Sequence, residues 1–433
     1  MELKDKSTIT FHEGTQSIGG TLVEISYKDS RVFFDAGGLY LPELENQPKN
    51  FSELFDHGLV VKLPGLYDPK LGKEIVDQDF YKNQGVFVSH VHLDHSNMIN
   101  YINPKIKVYM SNDSKILLQA LNYNNDFILP FEENQKDYKI STTRPLIGLD
   151  YNQEVSIGQI KVKLVKVDHD AYGACGLIIS CPDKVYAYSG DIRLHGYNKN
   201  ASLNFCKEAK ACDYLITEGV SVSFNEVGSP LEDTTMTEEI LANEFLKLVK
   251  ESDGRIISFN YYPANIERLV NLKKILAPYR ELVLDAHNSH ILKELTGIES
   301  KYYLLDQTNY GLKPENEVKI DTLLSDPSFF WQLNKAALKY IKSMQPGSLY
   351  IHSNAWPLGP FDPAYDPFFK LFEENNIETR IISCSGHGYS LDLIKIIDQI
   401  RPKILCPIHS FQPQRLFNLY GERLLPEKGQ VYI

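Results

Sequence analysis

The stretch Gly85-Val86-Phe87-Val88-Ser89-His90-Val91-His92-Leu93-Asp94-His95 decides the fold. Its first five residues are a short, mostly apolar run of the kind that forms a buried strand. Three histidines and one aspartate then fall within six positions. On a short loop leaving a strand, residues 90 and 92 can point one way, and residues 94 and 95 can turn toward a second point. Zinc binds imidazole and carboxylate at about 2.0–2.2 Å. Two such ions about 3.5–4 Å apart are a known hydrolytic arrangement. A surface histidine cluster without metal is the plain alternative. The dense H-x-H-x-D-H order behind a buried-strand pattern argues against it.

Working outward, the same design recurs: an apolar strand pattern ending in a polar residue able to bind metal. Val32-Phe33-Phe34 ends at Asp35, and the alternating run 160–167 ends at Asp168-His169. The run 185–188 ends at Ser189-Gly190-Asp191, Leu215-Ile216-Thr217 at Glu218, and Ile404-Leu405-Cys406 leads to Pro407-Ile408-His409. Loops gathered over strand ends are where a rigid sheet presents functional side chains. From residue 223 the pattern changes. Helical periodicity over 238–252, 266–277 and 367–375 alternates with strand patterns at 255–260, 281–285 and 348–353. That alternation predicts a parallel α/β unit.

The segment 90–95 resembles the signature motif of the metallo-β-lactamase superfamily. Further matches follow in order: Asp35, His169 and Asp191, the last within Ser189-Gly190-Asp191-Ile192-Arg193-Leu194-His195-Gly196. Three more resemble the superfamily's nucleic-acid-processing β-CASP group, which includes RNase J, Artemis and the cleavage-and-polyadenylation endonucleases. They are Glu218 after its strand, His387 in Ser385-Gly386-His387-Gly388, and His409 in Pro407-Ile408-His409. The resemblance implies an α/β fold, an αββα metallo-β-lactamase sandwich with an inserted α/β β-CASP domain. The expected boundaries are 1–222 and 376–433 for the two parts of the hydrolase domain and 223–375 for the insert.

The resemblance also implies the site. His90, His92 and His169 would hold one divalent ion, and Asp94, His95 and His409 a second, with Asp191 bridging. The ions would be zinc, with manganese the alternative. They would activate a hydroxide that attacks a phosphodiester, with Asp94, Glu218 and His387 as catalytic groups. His387 would contact the scissile phosphate or assist the leaving group, and Glu218 would orient His387. Backbone N–H groups at Ser385 and Gly386 would bind phosphate. Asp35 would support the metal loop without ligating. The implied substrate is single-stranded RNA, with DNA as an option, cut endo- or exonucleolytically.

Composition bounds these expectations. The chain has 433 residues, 43% hydrophobic and 23% charged, as in ordinary globular proteins. A net charge of −11 disfavours broad charge-driven binding to polyanions, though not a local basic groove. The polar start Met1-Glu2-Leu3-Lys4-Asp5-Lys6 lacks the apolar core of a secretory signal, and no apolar run approaches membrane-spanning length. A cytoplasmic, non-membrane protein is expected, with a homodimer left open. None of the six cysteines forms a C-x-x-C pair, and all are read as buried, reduced thiols.

Other residues draw plainer readings. His195 is expected to make a structural hydrogen bond, and His287 and His290 to be surface or cleft residues. His12, His57 and His352 have no supporting pattern. Tyr261, Tyr262, Phe329, Phe330, Trp331, Trp356, Phe361 and Tyr365 could stack bases or pack between domains. Lys273, Lys274 and Arg280 suit a cleft or a solvated helix face. Two other functions stay in view: hydrolysis of a smaller substrate such as a nucleotide or lactone, and a catalytically silent binding partner.

Overall fold

A computed structural model describes residues 5–39, 44, 47–72, 75–76, 80–135, 141–224 and 236–433. The chain divides into two compact units, Met1–Thr234 with Gly386–Ile433, and Thr235–Ser385.

The first unit stacks two seven-stranded sheets. In one, the order is Val431–Tyr432, Thr8–Glu13, Leu22–Tyr27, Ser30–Phe34, Asn83–Phe87, Lys107–Ser111, Leu146–Leu149. Its early hairpins are antiparallel, and from Ser30–Phe34 onward the strands pair in parallel. In the other, the order is Glu422–Arg423, Ile404–Ile408, Tyr214–Glu218, Val185–Tyr188, Cys175–Ser180, Ile160–Lys166, Glu154–Ile157. Side chains alternate with the period of 2 that strands impose. Ile9, Phe11, Val23, Ile25, Val32 and Phe34 from the first sheet meet Val162, Leu164, Leu177, Tyr186, Tyr188 and Ile216 from the second. Phe34 stacks on Tyr188 with ring centroids 4.6 Å apart.

The intervening residues of the second sheet, Val165, Ile178, Ala187, Leu215 and Leu405, point to its outer face. Two helices cover that face. Helix Ser390–Ile400 buries Leu393, Ile396, Ile397 and Ile400, an i, i+3, i+4, i+7 stripe. Helix Lys199–Glu208 adds Phe205 and Cys206. Helix Asn112–Leu121, capped by the Ser111 hydroxyl, packs on the far side of the first sheet. The layers are therefore helix, sheet, sheet, helix.

The second unit is built on a six-stranded, wholly parallel sheet, ordered Lys301–Tyr303, Glu281–Asp285, Phe329–Gln332, Ile257–Tyr261, Leu349–Ser353, Glu378–Ile381. The last strand explains why the sequence boundary at 376 differs from the return at Gly386. Glu378–Ile381 pairs with Leu349–Ser353 and so belongs to the insert's sheet. Tyr261, Phe330 and Trp331 are fully buried, so their rings are not open faces for stacking bases. Phe361 is exposed. Arg280 corrects the expectation of a cleft or solvated face: it is buried and donates to the carbonyls of Ser252 and Arg255 at 2.7 Å.

All six cysteines are free, five buried and Cys181 partly exposed, against the expectation of six buried thiols. Among the described residues no helix is long and apolar enough to cross a membrane.

The least replaceable polar contact in the second unit is Arg268. Its guanidinium, fully buried, donates to both carboxylate oxygens of Glu238 at 2.7 and 2.8 Å, and also to Asn354 Oδ1 at 2.8 Å. Removing one partner of a buried pair leaves an uncompensated charge, at about 3–5 kcal/mol. Arg268→Met is expected to destabilise the second unit by that amount. Both tryptophans, Trp331 and Trp356, lie in this unit, so urea melts followed by tryptophan fluorescence report on it directly.

Candidate metal centre

The polar strand ends of both sheets in the first unit converge. Asp35 follows the strand Ser30–Phe34 in the left-handed region, φ 63°. Its carboxylate accepts Ser89 N–H at 2.7 Å, Ser89 O–H at 3.0 Å, His95 Nδ1–H at 2.7 Å and the Tyr188 hydroxyl. His90 Nδ1–H in turn donates to Ser89 Oγ at 2.9 Å. His169 Nδ1–H donates to the Gly386 carbonyl at 2.6 Å. Each of these three rings is thus held by its outer nitrogen, with Nε2 turned inward. His92 presents Nδ1 to His169 Nε2 at 3.1 Å.

His90, His92, His169 and Asp191 form one group able to hold a cation, and Asp94, His95 and His409 another. Asp191 Oδ2 lies between them, 3.5 Å from His90 Nε2, 3.3 Å from His95 Nε2 and 3.7 Å from His409 Nε2. His90 Nε2, His95 Nε2, His409 Nε2 and Asp191 Oδ2 are all buried without a hydrogen-bond partner. Each such orphan costs about 1–3 kcal/mol. Four of them aimed at one region fit a site made for cations.

The electrostatics set the charge of each group. Burial, reinforced by the neighbouring His95 and His169, holds His90 well below the usual histidine range. Burial also takes His169 down to about 3, despite Asp170. Both are neutral at neutral pH. Burial would raise the Asp191 carboxyl, but His95, His409 and His387 hold it well below the usual range, so it is an anion. Burial opposes a charge on His95, and Asp191, Asp94 and Asp35 reverse that, raising it well above the ordinary value.

His409 is held differently. The Gly19 N–H donates to its Nδ1 at 3.0 Å, so the neutral ring carries its proton on Nε2, which faces Asp94 at 3.4 Å.

Glu218, buried at the end of its strand, accepts N–H groups from Ile192, Val220 and Gly388 at 3.3, 3.1 and 3.1 Å. It faces His387 Nδ1 at 3.3 Å, with Asp191 at 3.5 Å from the same atom. Burial lowers the His387 pKa, but Glu218 and Asp191 outweigh it and push the group up to about 10. His387, Asp94 and His92 keep partly exposed side chains, at 23, 28 and 14%. They mark the open side. Ser385 ends the second unit and is half-buried.

Sequence reasoning missed several supports. Asp170 lies beside His92 and His169, both at 3.4 Å. Gly37 passes so close to Asp94 that a methyl group there would sit 1.6 Å from its carbonyl oxygen. Gly386 acts through its carbonyl and its lack of a side chain. His195 faces Asp392 at 3.3 Å and stacks on Tyr389. His287 stacks on Tyr310, with His290 beside it, on the helix Ala286–Thr296. His12 pairs with Glu24, and His352 contacts the Pro357 carbonyl.

Paired sheets with this histidine–carboxylate cluster at their strand ends define a metallo-β-lactamase fold. No protein-family model matches the chain. It is 43% identical to a crystallised protein of unknown function from Enterococcus faecalis, covering 99% of both chains with a TM-score of 0.89. It is 21% identical over 416 residues to Ribonuclease J of Mycoplasma genitalium, and 23% identical over 431 residues to Ribonuclease J of Helicobacter pylori. Those alignments take in 92% and 94% of this chain but 66% and 57% of the relatives' own length. The chain is thus similar to Ribonuclease J, a member of the β-CASP group of the metallo-β-lactamase superfamily, over most of its length.

Asp35→Ala would leave the Ser89 N–H, the Tyr188 hydroxyl and His95 Nδ1–H without their buried acceptor. At about 1–3 kcal/mol each, the first unit is expected to lose several kcal/mol. Thermal melts followed by far-ultraviolet circular dichroism in chelator measure this apart from any metal.

Proposed function

We propose that the chain is a metal-dependent ribonuclease that hydrolyses phosphodiester bonds of single-stranded RNA. The observation that carries this reading is the convergence of His90, His92, His169, Asp94, His95, His409 and Asp191 beside a Glu218–His387 pair. Relatives named Ribonuclease J support the choice of substrate.

In this reading His90, His92 and His169 would hold one divalent ion and Asp94, His95 and His409 a second, with Asp191 available to either. Zinc or manganese suits such a donor set. When bound, two such ions supply Lewis acidity and lower the pKa of water. The residues do the rest. Asp35 fixes His95, and Ser89 fixes His90, so their nitrogens need no reorganisation on binding. Glu218 holds His387 protonated at the open side, where its imidazolium binds a phosphate oxygen and passes a proton to the leaving oxygen. Asp94, also on the open side, ties the ligand loop to that entrance. A soluble, cytoplasmic setting suits an RNA substrate and free thiols.

The test is hydrolysis of 5′-labelled single-stranded RNA, single-stranded DNA and a generic phosphodiester with added zinc or manganese. RNA cleavage is expected from the wild type. His387→Ala should reduce the rate by about 10²–10⁴-fold, the usual contribution of a proton-transfer group, and Asp94→Ala should reduce it at least as far. Undiminished cleavage by Asp94→Ala would refute the reading. Cleavage of the generic diester alone would point to a smaller substrate.

A further inference from the structure

We infer that Asp170 is a positioning residue for the first metal: it holds His92 by Nε2–H and so turns Nδ1 toward the ion. The inference rests on the metal reading above.

The geometry carries it. His90, His95 and His169 each donate an outer N–H to a fixed acceptor, Ser89, Asp35 and the Gly386 carbonyl respectively. His92 points Nδ1 inward, 3.1 Å from His169 Nε2. Its Nε2 therefore faces outward, and the group 3.4 Å away is Asp170 Oδ1. That oxygen is buried and has no hydrogen-bond partner. An N–H···O bond needs 2.7–3.2 Å, so a movement of a few tenths of an ångström completes it. A buried carboxylate oxygen without a donor is costly, which drives that movement.

His169 Nε2 lies the same 3.4 Å from Asp170 Oδ1, but in the metal reading it faces the ion and carries no proton, so His92 is the donor that remains for Asp170. Arg193, the nearby guanidinium, is engaged by Asp168 at 3.2 Å. On the opposite side stands Gly386, where an added methyl group would lie 2.4–2.6 Å from the Asp170 carboxyl atoms. The glycine of Ser385-Gly386-His387 thus makes room for Asp170, and its carbonyl fixes His169. One backbone unit serves the two histidines of the same metal position. The added negative charge also matters. With Asp94 and Asp191 it brings the carboxylates near two dications to three, closer to neutrality.

A carboxylate behind a ligating histidine changes metal affinity by about 10–100-fold. The experiment titrates zinc alone into full-length wild type, Asp170→Asn and Asp170→Ala against a competing chelator, and counts zinc per chain. The wild type is expected to take two ions. Asp170→Asn, which keeps the shape, should weaken one of the two steps by about tenfold, and Asp170→Ala by up to about 100-fold. His92→Ala should weaken the same step, and adding Asp170→Asn to it should cause no further loss. Melts in chelator confirm that each variant is folded. A folded Asp170→Asn with wild-type affinity at both steps overturns the inference, as does an additive loss in the double variant. A wild type that takes up no zinc overturns the metal reading itself, a separate failure.

Discussion

The structure of the site depends on one buried carboxylate. Asp35 leaves the first sheet in a left-handed conformation and receives donors from three places: Ser89, the tail of the neighbouring strand; His95, in the histidine loop; and Tyr188, from the second sheet. Stacking of Phe34 on Tyr188 directly below joins the sheets apolarly at the same point. The hydrogen bonds therefore fix the relative position of the sheets and the histidine loop together. A left-handed aspartate is tolerated because its short side chain bonds locally. Here the strained backbone is compensated by four donors on one carboxylate.

Much of this was legible in the sequence because strand ends announce themselves. Apolar runs of period 2 or of continuous hydrophobicity ended at Asp35, His169, Asp191, Glu218 and His409, and the sandwich brings those ends to one place. What was not legible has two physical causes. Some elements are too short for periodicity to register. Lys301–Tyr303, Glu422–Arg423 and Val431–Tyr432 are held by pairing with neighbours and not by their own pattern. The helix Ala286–Thr296 begins Ala-His-Asn-Ser-His, in which only the alanine is a strong helix former, and is fixed by the Asp285 side chain at its N-cap. Other features depend on contacts distant along the chain. Gly37 against Asp94, Gly19 on His409 and Gly386 against Asp170 are three steric or hydrogen-bonding fits that a linear reading registers only as glycines. Asp170 sat beside a motif residue and carried no spacing signal of its own.

Glu218 shows how one residue serves stability and chemistry together. It accepts N–H groups from the loops carrying Asp191, Gly219-Val220 and His387-Gly388, so it ties three strand-end loops. Replacing it would unfasten the loops as well as discharge His387, which is why the two effects need separate readouts.

The charge pattern then constrains what approaches. Asp35, Asp94, Asp170, Asp191 and Glu218 gather around the histidine cluster, and their field would repel an anion. Positive charge can offset that repulsion: cations between the histidines, His95, held well above the ordinary value by Asp191, Asp94 and Asp35, and His387, pushed up to about 10 by Glu218 and Asp191. Cations beside Asp191 would draw on the same carboxylate that raises His387, lowering its hold on the proton. A fully loaded centre would thus leave His387 a readier proton donor than an empty one.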